Sequence, residues 1–207
     1  AQLQKIGEKL NYRCPMVFCS EYIEDANIPY VCIDDEDAMY RSTSFVLASG
    51  RKKIAFMNSS FKYNYAKRRE VGFRRAMEDN DVPVNENAIV RLSSVTYNLA
   101  YSNALHLLEQ EERPDAILCI SDVFAMGVLK ACKKKGLRVP EDCAVIGFDN
   151  IDLAAIADPP LTTIDQPAYQ LGYQSCELLV EKIIRPETPN KRIVLDTELI
   201  VRESTPI

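Results

Sequence analysis

Ala116-Ile117-Leu118-Cys119-Ile120-Ser121-Asp122-Val123 is a run of five apolar residues closed by two that suit the start of a helix. An uninterrupted apolar run of this length reads as a strand buried on both faces. Ser121 and Asp122 offer side-chain oxygens to the first turn of a helix from Val123 to Lys135, and Gly136 ends that helix. Leu137-Arg138-Val139-Pro140 then turns the chain into a second strand, Cys143 to Phe148. The connection is long enough to cross over between parallel neighbours.

The same pattern extends in both directions. Lys53-Ile54-Ala55-Phe56-Met57 reads as a strand, Asn58 to Tyr63 as a polar and aromatic loop, and Ala66 to Asp79 as a helix with Val71, Phe73 and Met77 turned partly inward. Ile89-Val90-Arg91-Leu92 gives a further strand, and a helix follows from Asn98 to Glu111. These units predict one mainly parallel sheet in an α/β fold. Before Gly50 lies a smaller set: Met16-Val17-Phe18, the strand Ile28 to Ile33, and a helix from Ala38 to Ser49. After Ile164 come a helix over Ala168 to Ile184 and a closing strand pair, Arg192 to Leu195 with Glu198 to Arg202. No internal repeat or low-complexity linker interrupts the chain.

With 207 residues, 47% of them hydrophobic, the chain can bury a substantial core. Its net charge of -5 repels phosphate backbones, so a nucleic-acid surface is not expected on this segment. Seven cysteines without a C-x-x-C pair suit a reducing, cytoplasmic setting. Neither a leader peptide nor a bilayer-length apolar run is expected, hence no membrane association. Ala1 to Leu10 reads as a helix already in progress, the mark of a truncated chain.

In an open parallel sheet, ligands collect beyond the carboxyl ends of the strands. Four such ends carry polar groups: Asn58-Ser59-Ser60 with Arg68 and Arg69 nearby, Ser121-Asp122, Asp149-Asn150-Asp152, and Asp34-Asp35-Asp37. Carboxylates that accept from hydroxyls, a guanidinium that donates as a fork, and the aromatic faces of Phe61, Tyr63 and Phe124 suit a sugar ring or nucleoside. The same polar residues also suit helix caps and solvated loops. Catalysis and cofactor binding find little support. The single histidine, His106, sits mid-helix, and neither a phosphate-cradling glycine loop nor a serine elbow is present. Metal-ligand spacing is absent, and the acidic run Asp34-Asp35-Glu36-Asp37 reads as a solvated turn.

Val139-Pro140-Glu141-Asp142-Cys143-Ala144-Val145-Ile146-Gly147-Phe148-Asp149-Asn150, with Pro159-Pro160-Leu161-Thr162-Thr163-Ile164 and Gln166-Pro167, resembles the C-terminal signature of LacI/GalR-type repressors. Gly50 to Phe56, Arg69 with Gly72-Phe73, Ser121-Asp122 with Ala125-Met126-Gly127, and Glu198 to Thr205 resemble further parts of the pattern. The resemblance implies a periplasmic-binding-protein-like fold of two parallel-sheet subdomains joined by multiple crossovers. Residues 1-49 and 166-190 would be the remnant of an incomplete first subdomain, and 50-165 and 191-207 the second. It also implies that Arg69, Ser121, Asp122 and Asp149 contact a small-molecule effector, a sugar, sugar phosphate or nucleoside, with Asp37 from the first subdomain. Phe148 to Leu153 and Asp158-Pro159-Pro160 are similar in particular to nucleoside-responsive members. The expected partners are that effector, a second copy in a homodimer, and operator DNA held by a helix-turn-helix outside this chain. The alternatives are a transporter's solute-binding protein and a sugar-converting enzyme.

Overall fold

The computed structural model describes residues 14–23 and 25–206; the helix expected over Ala1 to Leu10 lies outside them. In chain order the elements are β1 (Phe18–Cys19), β2 (Tyr30–Ile33), α1 (Asp35–Ala48), β3 (Ile54–Ser59), α2 (Asn64–Asp79), a 3-10 turn (Glu86–Ala88), β4 (Ile89–Leu92), α3 (Tyr97–Leu108), β5 (Ala116–Cys119), α4 (Asp122–Lys134), β6 (Ala144–Asp149), α5 (Asp152–Ile156), β7 (Thr162–Asp165), α6 (Ala168–Ile184), β8 (Arg192–Leu195) and β9 (Glu198–Ile200). They form two compact units. The smaller is built from residues up to 33 with 167–196, the larger from 34–166 with 197–207.

The larger unit holds a six-stranded sheet of order β4-β3-β5-β6-β7-β9. Every pairing is parallel except that of β9 with β7. β3 and β5 are buried at every position, which is why Ile54 to Met57 and Ala116 to Cys119 run apolar without alternation. The chain steps from β3 outward to β4, then returns past β3 to β5 and β6. Right-handed crossovers therefore place α2 on one face of the sheet and α3 and α4 on the other. Accordingly α1 packs against α2, and α3 against α4. Both crossings depend on a glycine: a Cβ on Gly72 would collide with the Glu36 carbonyl, and one on Gly127 would lie 2.8 Å from backbone atoms of Tyr97 and Tyr101. Between sheet and helices, Phe56 stacks on Phe73 with centroids 4.9 Å apart. Phe148, Ile146, Ile117 and Phe124 are also fully buried, against one face of the sheet or the other. Each such side chain contributes about 1.5–3 kcal/mol by leaving water.

In the smaller unit β1, β2 and β8 form a parallel sheet, and α6 packs on β1 and β2. Val31, Cys32 and Ile33 are buried in the sheet, and Leu171 and Leu178 face inward from the helix.

Several expectations are corrected. The closing strands do not pair: β8 joins β2, with Val31 opposite Ile193, whereas β9 joins β7, with Ile164 opposite Leu199. The link between them, Asp196-Thr197, has no residue at positive φ, and a two-residue hairpin needs one. The acidic run is not a solvated turn. Asp34 caps α1 by accepting from the Asp37 N–H, and Asp35, Glu36 and Asp37 form its first turn, where carboxylates oppose the helix dipole. The compact units group α1 with α2 and β8 with β2. Val71 points to solvent.

Candidate functional site

The order β4-β3-β5 makes the carboxyl ends of β3 and β5 the point where the chain leaves the sheet in opposite directions. A crevice opens at such a point, lined by the loops that follow each strand. Arg69, in the second turn of α2, reaches across it. Its Nε donates to Asp35 Oδ1 at 2.8 Å and its Nη1 to the Ile120 carbonyl at 2.5 Å, just past the end of β5. The guanidinium lies 3.4 Å from the centroid of the Phe148 ring and 5.0 Å from that of Tyr65. Held by two bonds between two rings, the buried side chain keeps one orientation. Asp35 is also buried, and burial pushes its carboxyl up despite the ion pair with Arg69.

Asp149 ends β6 beside this group. It has φ 113 and the next residue, Asn150, φ 54. Residues with a Cβ rarely adopt such angles, and they persist only when neighbours fix them. Here Asn150 donates to Asp165 Oδ1 at 2.7 Å and accepts from Arg202 at 2.8 Å, while the Ile151 N–H donates to Asp122 Oδ2 at 2.9 Å. Gln166 donates to Asp149 Oδ1 at 2.5 Å. Burial pushes the Asp149 carboxyl up to about 6, against the pull of Arg69 and Gln166 and with help from Asp122 and Asp35. A carboxylate so placed is poorly hydrated and suited to accept from a donor that arrives with a ligand.

A model of the family "periplasmic binding protein-like domain" matches residues 43–205. The chain belongs to that family, in the form found in LacI/GalR-type regulators. It is 34% identical over 191 residues to the HTH-type transcriptional repressor CytR of Escherichia coli strain K12, covering 92% of this chain and 56% of the relative. It thus spans about half the length of the curated relatives it matches. Among solved structures it is similar to transcription regulator CcpA of Lactococcus lactis, at TM-score 0.89 and 32% identity, covering 98% of this chain and 74% of that one. A LacI family transcriptional regulator from Enterococcus faecium with bound ribose superposes at TM-score 0.87 and 26% identity, over 98% of this chain and 75% of that one. All three of these relatives are regulators of transcription.

Within this periplasmic binding protein-like domain the residues singled out from sequence fall into distinct places. Arg69 and Asp149 meet at the crevice. Ser121 caps α4 by accepting from the Phe124 N–H at 3.3 Å. Asp122 is fully buried, accepting from Thr163 Oγ1 at 2.6 Å and from the Ile151 N–H, and burial raises its carboxyl. Its place is tight enough that a Cβ on Gly147 would collide with it. It braces the Asp149 loop. Phe124 is not brought to the crevice: it is fully buried, its ring part of the core. Phe61 and Tyr63 are 43% and 47% exposed on the loop after β3, with Arg91 over the Phe61 ring at 4.8 Å and Tyr63 stacked on Tyr65. Asp37 lies in the larger unit, paired at 2.7 Å with Arg41, which also donates to Thr197. Sequence reasoning named Asp35 among the polar groups at a strand end without giving it a role, and assigned no role to Tyr65, Phe148, Gln166 and Arg202. The signal for Asp35 was an acidic run facing an arginine-rich helix; Phe148 and Gln166 flanked residues already chosen. His106 is exposed on α3. Among the described residues no group of His, Cys, Asp and Glu is placed to hold a metal ion, and no helix is long and apolar enough to cross a membrane.

Proposed function

We propose that this chain is the effector-binding part of a DNA-binding transcription regulator that senses a sugar or nucleoside. The observation that carries the reading is the buried Arg69 guanidinium set beside the poorly hydrated Asp149 carboxylate at the strand ends of one parallel sheet. The guanidinium N–H groups left over from these bonds, next to an acceptor, match the vicinal hydroxyls of a sugar, and Phe61 and Tyr63 supply apolar faces at the rim. Asp122 and Ser121 hold this arrangement from behind, and Asp37 lies on the neighbouring helix α1. The bound ribose of the Enterococcus faecium regulator supports the same ligand class, and the kinship with the repressor CytR supports the regulatory output. In the complete protein, the effector shifts an equilibrium between conformations that differ in operator affinity, acting through a homodimer in the cytoplasm and a helix-turn-helix outside this chain. No residue of the crevice is committed to bond breaking.

Calorimetry of the full-length protein against a panel of sugars and nucleosides, repeated after Asp149→Ala, tests the site. A ligand bound by the wild type is expected to lose tenfold or more in affinity in the variant. Unchanged affinity removes Asp149 from the site, and operator binding indifferent to every bound ligand removes the regulatory reading.

A further inference from the structure

Arg69 does not stand at the crevice as an unspent positive charge. Its Nε is taken by Asp35, with which it forms an ion pair at 2.8 Å, both partners buried. Its Nη1 is taken by the Ile120 carbonyl. Among the described residues Nη2 donates to no protein atom, and Nη1 keeps a second N–H beyond the one given to Ile120. What the guanidinium offers a ligand is therefore the N–H groups left on its two terminal nitrogens, its charge already compensated by Asp35.

The remaining charges around it are mostly negative. Asp149 and Asp122 add two further carboxylates that act on each other, and Asp165 lies next to them through Asn150. The cations within reach are engaged. Arg202 donates to the Leu161 carbonyl and to Asn150, and Arg68 lies 3.8 Å from Glu36. An anionic ligand entering here would meet the desolvated Asp149 carboxylate, and the guanidinium beside it is already paired with Asp35.

We propose that Asp35 sets the charge class of the effector: by neutralising Arg69 from behind, it makes the crevice accept uncharged polyhydroxylated molecules and reject their phosphate esters. This rests on the effector-binding reading given above and narrows it. Where Arg69 lacks such a partner it becomes a phosphate or carboxylate receptor, because a planar guanidinium binds both as a fork.

Calorimetry on the full-length protein with D-ribose against ribose 5-phosphate, and cytidine against cytidine 5′-monophosphate, measures the discrimination directly. One added like-charge contact at roughly 6 Å in an effective dielectric of about 20 corresponds to about a hundredfold weaker binding, or ~2.8 kcal/mol. The phosphate ester of whichever neutral compound binds is expected to be weaker by about that factor. In Asp35→Asn, with the fold verified by circular dichroism and thermal melting, the ratio is expected to fall to tenfold or less. An ester that binds the wild type as tightly as its parent overturns the charge assignment while leaving small-molecule sensing intact; this arm needs no variant. The charge assignment falls equally if folded Asp35→Asn keeps the wild-type ratio. No binding by any of the four compounds, neutral or phosphorylated, removes both the assignment and the reading beneath it.

Discussion

Replacing Asp149 with asparagine is expected to stabilise the protein at neutral pH, although it removes a charge next to an arginine. The carboxyl titrates at about 6 in the fold against an ordinary 3.8, because its burial costs more than Arg69 and Gln166 return. The folded state therefore holds the proton more tightly than the unfolded one. Stability from this group is fully present below pH ~3.8 and is lost as pH rises through about 6. A difference of about two pKa units is worth about 3 kcal/mol, the penalty carried by the wild type above pH ~7. The amide that Asp149→Asn introduces accepts the Gln166 hydrogen bond as the carboxylate does, suits the positive φ of this position, and carries no charge to desolvate. Chemical denaturation of wild type and variant at pH 4.5, 6 and 7.5 is the measurement. The variant is expected to gain up to about 3 kcal/mol at pH 7.5, about 6–12 °C in melting temperature, with the gain shrinking to about 1 kcal/mol at pH 4.5. Taking the difference between the two proteins removes the titration of all other carboxylates. A variant no more stable than wild type at pH 7.5, or a gain that is flat from pH 4.5 to 7.5, refutes the reasoning.

Glu70 is expected to behave with the opposite sign. It is buried, yet its carboxyl is held low because bonds from Arg91, Arg74 and Asn58 outweigh burial. Its stabilisation is present above the ordinary 4.5 and lost as pH falls through the lowered value, so the cost of Glu70→Gln, about 1–3 kcal/mol, should vanish in acid denaturation series. Arg69→Met strands Asp35 in a buried site and should cost about 3–5 kcal/mol in urea unfolding at pH 7.5, with a smaller loss at pH 5; a neutral outcome contradicts the buried pair. Gly72→Ala should destabilise by about 3 kcal/mol, since its Cβ meets the backbone of α1, whereas Gly172→Ala, in open space on helix α6, should gain about 0.5–1 kcal/mol. Thermal melts of the two variants that moved in the same direction would contradict the helix packing described.

What the sequence made legible was local or periodic. The apolar run from Ala116 marks β5, Ser121 caps α4 as its hydroxyl chemistry requires, and Gly136 takes φ +68 where that helix ends. Phe124 is placed in the core, not at the crevice, by its rotation on the helix. It lies one turn from Val128 and two from Ala131 and Cys132, so its ring faces the interior those residues line. The split of β8 from β9 was not legible because two adjacent strands of similar composition pair by default unless the turn between them forbids it. That prohibition was written in Thr197, a β-branched residue poor at positive φ.

The least legible feature is also the one on which the site turns. Asp35 and Arg69 are 34 positions apart, on two helices that meet because Gly72 lets their backbones approach. Nothing in the acidic run distinguishes Asp35 from Asp34 or Glu36, yet Asp34 caps the helix, Glu36 pairs with Arg75 at 2.6 Å near the surface, and Asp35 alone is buried against the crevice. Helical rotation separates them: successive residues on α1 diverge by about 100°, so three neighbouring carboxylates acquire three environments. A charge pattern that reads as solvation in one dimension becomes, once wound and packed, one cap, one surface ion pair and one buried partner that determines what Arg69 has left to give.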